Sequence, residues 1–142
     1  MRRLIQGLLL VSVLAISFAA CSSNDTITTP SKPTLPGNSV TEPPFTGTLK
    51  VNGAATYPFT AATAGTITAT LATVTPDATV GIGLSIGTWN GAACQVVIAN
   101  DNAMQTMAIT GAVTAASSLC VRVYDPGRLT APIDFNVTIV HP

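Results

Sequence analysis

The chain is poor in charge, aromatic rings and histidine, and each scarcity closes off a class of function. Only 8% of its residues are charged, six basic against six acidic, so no basic field is available to attract nucleic acid. Aromatic residues make up 5%, with Trp89 the single tryptophan, which leaves a core to be built largely from small β-formers. The one histidine, His141, stands one residue before the end of the sequence. A hydrolytic triad needs a base that shuttles protons near neutral pH, usually histidine, and His141 reads as a solvated tail residue instead. Zinc needs three or four converging nitrogen, sulfur or carboxylate ligands, a set that one histidine and paired cysteines do not supply. Asp77, Asp101, Asp125 and Asp134 are scattered, each near an expected turn or strand end where a carboxylate bonds local backbone amides. Asn100-Asp101-Asn102 offers oxygen ligands but lacks the acidic spacing and glycine of an EF-hand loop, and reads as a plain turn. No catalytic residue, metal site or cofactor is expected, and the chain does not read as an enzyme.

What is present begins at residues 1–20. Arg2 and Arg3 precede an apolar run from Leu4 to Ala20, broken only by small polar residues, and Phe18-Ala19-Ala20 leads into Cys21. This is the pattern of an export signal. With its cysteine it resembles a bacterial lipoprotein signal, in which an aliphatic residue and two small ones precede the lipidated cysteine; Phe18 departs from that pattern at the first position. The resemblance implies that Cys21 becomes the lipid-bearing first residue of the mature protein. Ser22 in place of aspartate implies outer-membrane sorting in a Gram-negative cell. Two other readings stay open: an ordinary signal cut after Ala20, and an uncleaved anchor, although the run is short for a span of about 20 apolar residues. Without Arg2 and Arg3 the mature chain carries four basic residues against six acidic, a net charge of minus two.

Residues 21–44 read as the lipidated cysteine followed by a tether. More than half of Ser22 to Pro44 is Ser, Thr or Pro, and Pro30, Pro33, Pro36, Pro43 and Pro44 break regular structure. At about 3.1 Å per residue such a segment would reach roughly 70 Å at most.

From Phe45 to Pro142 the period is two. Ile67, Ala69 and Leu71 alternate with threonines, Ile82, Leu84 and Ile86 with Gly and Ser, Leu119, Val121 and Val123 with Cys120, Arg122 and Tyr124, and Phe135, Val137 and Ile139 close the series. Trp89-Asn90-Gly91-Ala92 is the clearest hairpin signal, since both central residues tolerate positive φ, and it pairs Val80–Trp89 with Ala92–Ala99. Further breaks are expected at Asn52-Gly53, Pro76-Asp77, Asn100-Asp101-Asn102, Gly111 and Asp125-Pro126-Gly127. About seven to nine short strands, with no helical stripe, predict an all-β, antiparallel, jelly-roll-like sandwich over residues 45–142. Pro58 and Pro132 read as protection of its edges.

The segment order Phe45-Thr46-Gly47-Thr48-Leu49, Tyr57-Pro58-Phe59-Thr60, Ala64 to Leu71, Val80 to Ile86, Leu119 to Tyr124 and Ile133 to Ile139 resembles the bacterial pre-peptidase C-terminal family. The resemblance covers nearly all of residues 45–142. It implies a jelly-roll sandwich of the kind appended to secreted proteases and other exported proteins, some of which bind calcium or extracellular polymers. Where that family often has alternating aspartates, this chain has Val80-Gly81-Ile82-Gly83-Leu84, so calcium ligation is carried over to no residue.

In an oxidising compartment Cys94 and Cys120 are expected to pair. A bridge between positions this far apart would stabilise by about 3.5 kcal/mol on the loop-entropy model. Trp89, Arg122 and Tyr124 form the candidate binding set, because an aromatic face beside a planar donor can meet sugar rings or peptides; the competing reading has Trp89 covering one end of the core with Arg122 beside it. The expected partners are the membrane through the lipid, and an extracellular polymer or an envelope protein. Two functions fit: a displayed interaction module without catalytic activity, and an accessory envelope lipoprotein with a fixed protein partner.

Overall fold

A computed structural model describes residues 38–142. The signal run, Cys21 and most of the tether lie outside the described residues. Within them the chain forms nine antiparallel strands: β1 (Val40–Thr41), β2 (Phe45–Leu49), β3 (Ala54–Ala61), β4 (Gly65–Thr75), β5 (Ile82–Trp89), β6 (Cys94–Ala103), β7 (Ala108–Val113), β8 (Ser117–Tyr124) and β9 (Ile133–His141).

The pairing is nested. β5 pairs with β6, β4 with β7, β3 with β8 and β2 with β9, so the chain is one long hairpin folded about the β5–β6 turn. Rolling that hairpin up brings β9 against β4 and β8 against β5. The result is two sheets, one in the order β1-β9-β4-β7 with β2 also on β9, the other in the order β3-β8-β5-β6. This is the jelly-roll sandwich.

Alternation sorts the side chains as the sequence predicts. Ile67, Ala69, Leu71, Val74, Phe135, Val137 and Ile139 from one sheet meet Phe59, Ile82, Leu84, Ile86, Leu119, Val121 and Val123 from the other, all of them buried. Phe45 joins the two layers, edge-on to Phe135 with ring centroids 5.1 Å apart and tilted against Tyr57 at 5.4 Å. Each fully buried Val, Leu, Ile or Phe among them contributes about 1.5–3 kcal/mol on leaving water.

Several local expectations are corrected. Asn100-Asp101-Asn102 and Gly111 lie inside β6 and β7 rather than at breaks; the chain turns between them at Met104 to Met107, where Thr106 takes φ 72°. β6 is an edge strand, so its polar side chains cost nothing in buried surface, and the Asn100 side chain accepts from the Asn102 amide at 2.9 Å. Gly111 leaves room for Ile98 from the facing sheet, whose Cδ1 would lie 3.2 Å from a Cβ there. The β5–β6 loop is wider than a two-residue turn. Trp89 pairs with Cys94, only Gly91 takes positive φ, and the Asn90 side-chain oxygen Oδ1 accepts from the amides of Ala92 and Ala93 at 2.9 and 2.8 Å. Pro58 does stand on an edge strand, β3, but Pro132 precedes β9, which is flanked on both sides.

The folded region also starts upstream of Phe45. β2 covers β9 only from Ile133 to Val137, and β1 covers its remaining edge, with Val40 opposite His141 and Thr41 opposite Val140. The Glu42 amide then donates to the Ile139 carbonyl at 2.9 Å.

Candidate functional site

The outer face of the sheet β3-β8-β5-β6 holds the site. Arg122 and Tyr124 alternate with the buried Val121 and Val123 and so face outward. In register, Arg122 sits between Thr56 of β3 and Ser85 of β5, and Tyr124 between Ala54 and Gly83. Gly83 has no side chain because the Tyr124 ring occupies that space; a Cβ there would collide with it.

The hairpin end is bent over this face. Cys94 and Cys120 are joined, as their types and the expected compartment suggested. Cys120 is opposite Gly87 and Cys94 opposite Trp89, so the bridge connects β8 to β6 across β5. Two strand spacings would separate them by about 9.6 Å, yet their Cα atoms are 5.8 Å apart. The sheet must curl to allow this. The register of β5 with β6 shifts between Ile86 and Gly87, where Ile86 faces Ile98 and Gly87 faces Val96. Val97 is thus an extra residue, and such a bulge bends and twists its strand. Gly87 is required at the bend, since a Cβ would run into the backbone carbonyl of Gln95. Cys120, although on the outward-facing side of β8, is fully buried beneath the bent hairpin.

Between the hairpin end and the sheet lies a cavity of about 390 Å³, lined by Trp89, Ala92, Ala93 and Cys94 on one side and Ala54, Thr56 and Arg122 on the other. The structure therefore brings Trp89 and Arg122 together across one concavity. Trp89 lies outside the buried core cluster, which corrects the reading in which it covers an end of the core. Tyr124 does not line the cavity but supports it: the Arg122 guanidinium carbon stands 5.3 Å from the Tyr124 ring centroid, within cation–π range. The Tyr124 hydroxyl donates to the Asp101 carboxylate. Partial burial, then this hydrogen bond and the Asp101 charge, push the phenol up to about 12, with Arg122 pulling the other way. Among the described residues Arg122 has no carboxylate within ion-pair distance and no side-chain hydrogen bond.

A second cluster went unread in the sequence. His141 is 3% exposed, not a solvated tail residue. Continuing the inward series Ile133, Phe135, Val137 and Ile139 by one more step of two places it against the Phe59 ring, centroids 5.1 Å apart. The alternation is present in the sequence, but a polar residue at its last position carries no mark of burial in its type. Its Nε2 lies 2.9 Å from one Glu42 oxygen, and the Tyr57 hydroxyl donates to the other at 3.0 Å. Desolvation first, then Glu42, raise the Tyr57 phenol above its usual value. These contacts fasten the start of the folded region to β3 and β9.

The carboxylates divide. Asp77 bonds the Thr79 amide and hydroxyl, and Asp125 accepts from the amides of Asn52, Gly127, Arg128 and Leu129; both follow turn chemistry as expected. Asp134 stands at a strand end as expected, at the start of β9, but accepts from the Thr48 hydroxyl at 2.6 Å rather than from local amides, and Asp101 lies inside β6. Among the described residues no three His, Cys, Asp or Glu side chains converge as a metal site would need, and no helix is long and apolar enough to cross a membrane. The chain matches no protein-family model and no curated protein.

Proposed function

We propose that the protein is a lipid-anchored binding module of the bacterial cell envelope, related to the pre-peptidase C-terminal sandwiches, that engages a ligand without chemically altering it. The cavity between Trp89 and Arg122 carries this reading. It combines an aromatic face, a planar cation and a hydroxyl in a volume within the usual range of about 300–1,000 Å³ for small-molecule sites. The Cys21 signal supplies the address, and the proline-rich tether would hold the sandwich clear of the headgroups. Labelling cells with an alkyne analogue of palmitate tests the anchor: label on the wild-type protein and none on Cys21→Ser is expected. Equal label on both, or a wild-type protein in the soluble fraction, would overturn it.

The β6 edge favours a second reading, an accessory lipoprotein with a fixed protein partner. Val96 and Val97 are exposed there, Val97 at 70%, beside an apolar groove of about 130 Å³ lined by Ile67, Ile86, Val97, Ile98 and Val113. An unpaired strand edge can accept a strand from another chain. One stoichiometric protein co-purifying from detergent-solubilised membranes, and lost on Val97→Lys, would select this reading.

A further inference from the structure

We propose that the Trp89–Arg122 cavity binds an acidic saccharide chain, with a uronate carboxylate on Arg122 and a neighbouring sugar ring on Trp89; this rests on the cavity being the ligand site. Three observations lead to this chemistry. Arg122 is a cation in a concave site with no anionic partner among the described residues, so the missing charge is expected from the ligand, and a guanidinium takes a carboxylate through two parallel hydrogen bonds. Packing against Tyr124 holds its plane in place, limiting the side-chain entropy lost on binding.

The second observation concerns where the cavity lies. It is on the face of the sheet, and β8, which carries Arg122, is hydrogen-bonded to β3 on one side and β5 on the other. No backbone edge is free there, so a peptide cannot add as a strand and a ligand must be held by side chains alone. The rest of the lining is Thr56, Ala54, Ala92, Ala93 and Cys94, small groups that supply a hydroxyl and flat apolar contact but no deep hole for a hydrophobic side chain. A pyranose ring suits this surface, with one apolar face for the indole and hydroxyls for Thr56.

The third is length. Arg122 is level with Ser85 on β5, and Trp89 lies four residues further along that strand, beyond the bend at Gly87, at most roughly 13 Å away along the strand at about 3.3 Å per residue. Two lining groups set apart along the strand in this way suit adjacent units of a chain better than one sugar.

Calorimetry with the detergent-solubilised full-length lipoprotein tests the proposal, using trigalacturonate, its methyl ester and monomeric galacturonate as probes. Trigalacturonate should bind, the ester and the monomer at least about tenfold more weakly, and binding should weaken with salt. Arg122→Gln should lose about 30-fold or more and Arg122→Lys less, while Trp89→Ala should lose about tenfold. Circular dichroism of each variant checks that the sandwich is intact. Equal binding of ester and acid, with loss on Trp89→Ala, would overturn the acidic ligand but leave the cavity as the site. Binding that no Arg122 or Trp89 variant alters would overturn both. No binding of trigalacturonate, or Arg122-dependent binding of an acidic peptide in its place, would overturn the saccharide assignment.

Discussion

Tyr124 joins the site to its scaffold, since its ring fills the space over Gly83, its hydroxyl holds Asp101 and its face carries Arg122. With its phenol pushed up to about 12 from an ordinary 10, folding stability gained from the neutral form is fully present below pH 10 and is lost as pH rises through the folded value. Absorbance titration near 295 nm should therefore show no midpoint at pH 10 in the folded protein, and Tyr124→Phe should remove the step at about pH 12; a wild-type transition centred at pH 10 would contradict this. Asp125 works in the opposite direction. Partial desolvation opposes its ionisation, but the amides of Asn52, Arg128, Leu129 and Gly127 outweigh it and hold the carboxyl below its usual range. Its contribution is present above about pH 4 and is lost as pH falls through the lowered folded value. Asp125→Ala should cost about 0.5–1.5 kcal/mol in urea unfolding at pH 7, since solvent reaches most of these bonds, with the gap to wild type closing below pH 4. A gap that stays constant in acid would assign the effect to something other than the charged form. At this scale Asp77 and Asp125 were legible from turn chemistry. Glu42 and His141 were not, because their pairing depends on β1 lying beside β9, a contact between opposite ends of the folded region.

The bent β5–β6 hairpin is the element that makes a cavity out of a flat sheet. Its bulge at Val97, the glycine at position 87 and the Cys94–Cys120 bridge act together, so they should fail together. Reducing the bridge, or making Cys94→Ser with Cys120→Ser, should cost about 3.5 kcal/mol and release the hairpin from the face, which the fluorescence of the single tryptophan, Trp89, would report as a shift toward a more solvated spectrum. Stability loss with an unchanged Trp89 spectrum would separate the bridge from the site. Gly87→Ala should act more locally, by pushing β5 from the Gln95 carbonyl, and should lose more ligand binding than its loss of stability accounts for. The sequence offered the hairpin through Asn90-Gly91 and the bridge through its two cysteines, but not the bulge. A bulge adds one residue without any change of residue type, and in a run such as Gln95-Val96-Val97-Ile98 there is no polar alternation to count against. Asn100 to Asn102 misled for a related reason: on an edge strand polar residues serve as well as at a turn.

At the scale of the whole molecule, nested pairing explains why the period-two segments were readable and their order was not. Each inward series, such as Leu119-Val121-Val123, needs only a buried face, and any sandwich would provide one. The rolled hairpin additionally requires β9 to find β4 and β8 to find β5, contacts between distant segments that no local pattern encodes. The same roll sets the candidate site in the β5–β6 end and on β8 of one sheet, while β1 lies on the β9 edge of the other. The most direct test of this account is binding of the detergent-solubilised full-length protein to an immobilised array of polysaccharides and peptides, with Trp89→Ala on a parallel array. The account predicts a defined set of saccharide signals that Trp89→Ala removes; identical arrays for the two proteins, or no signal from either, would contradict it.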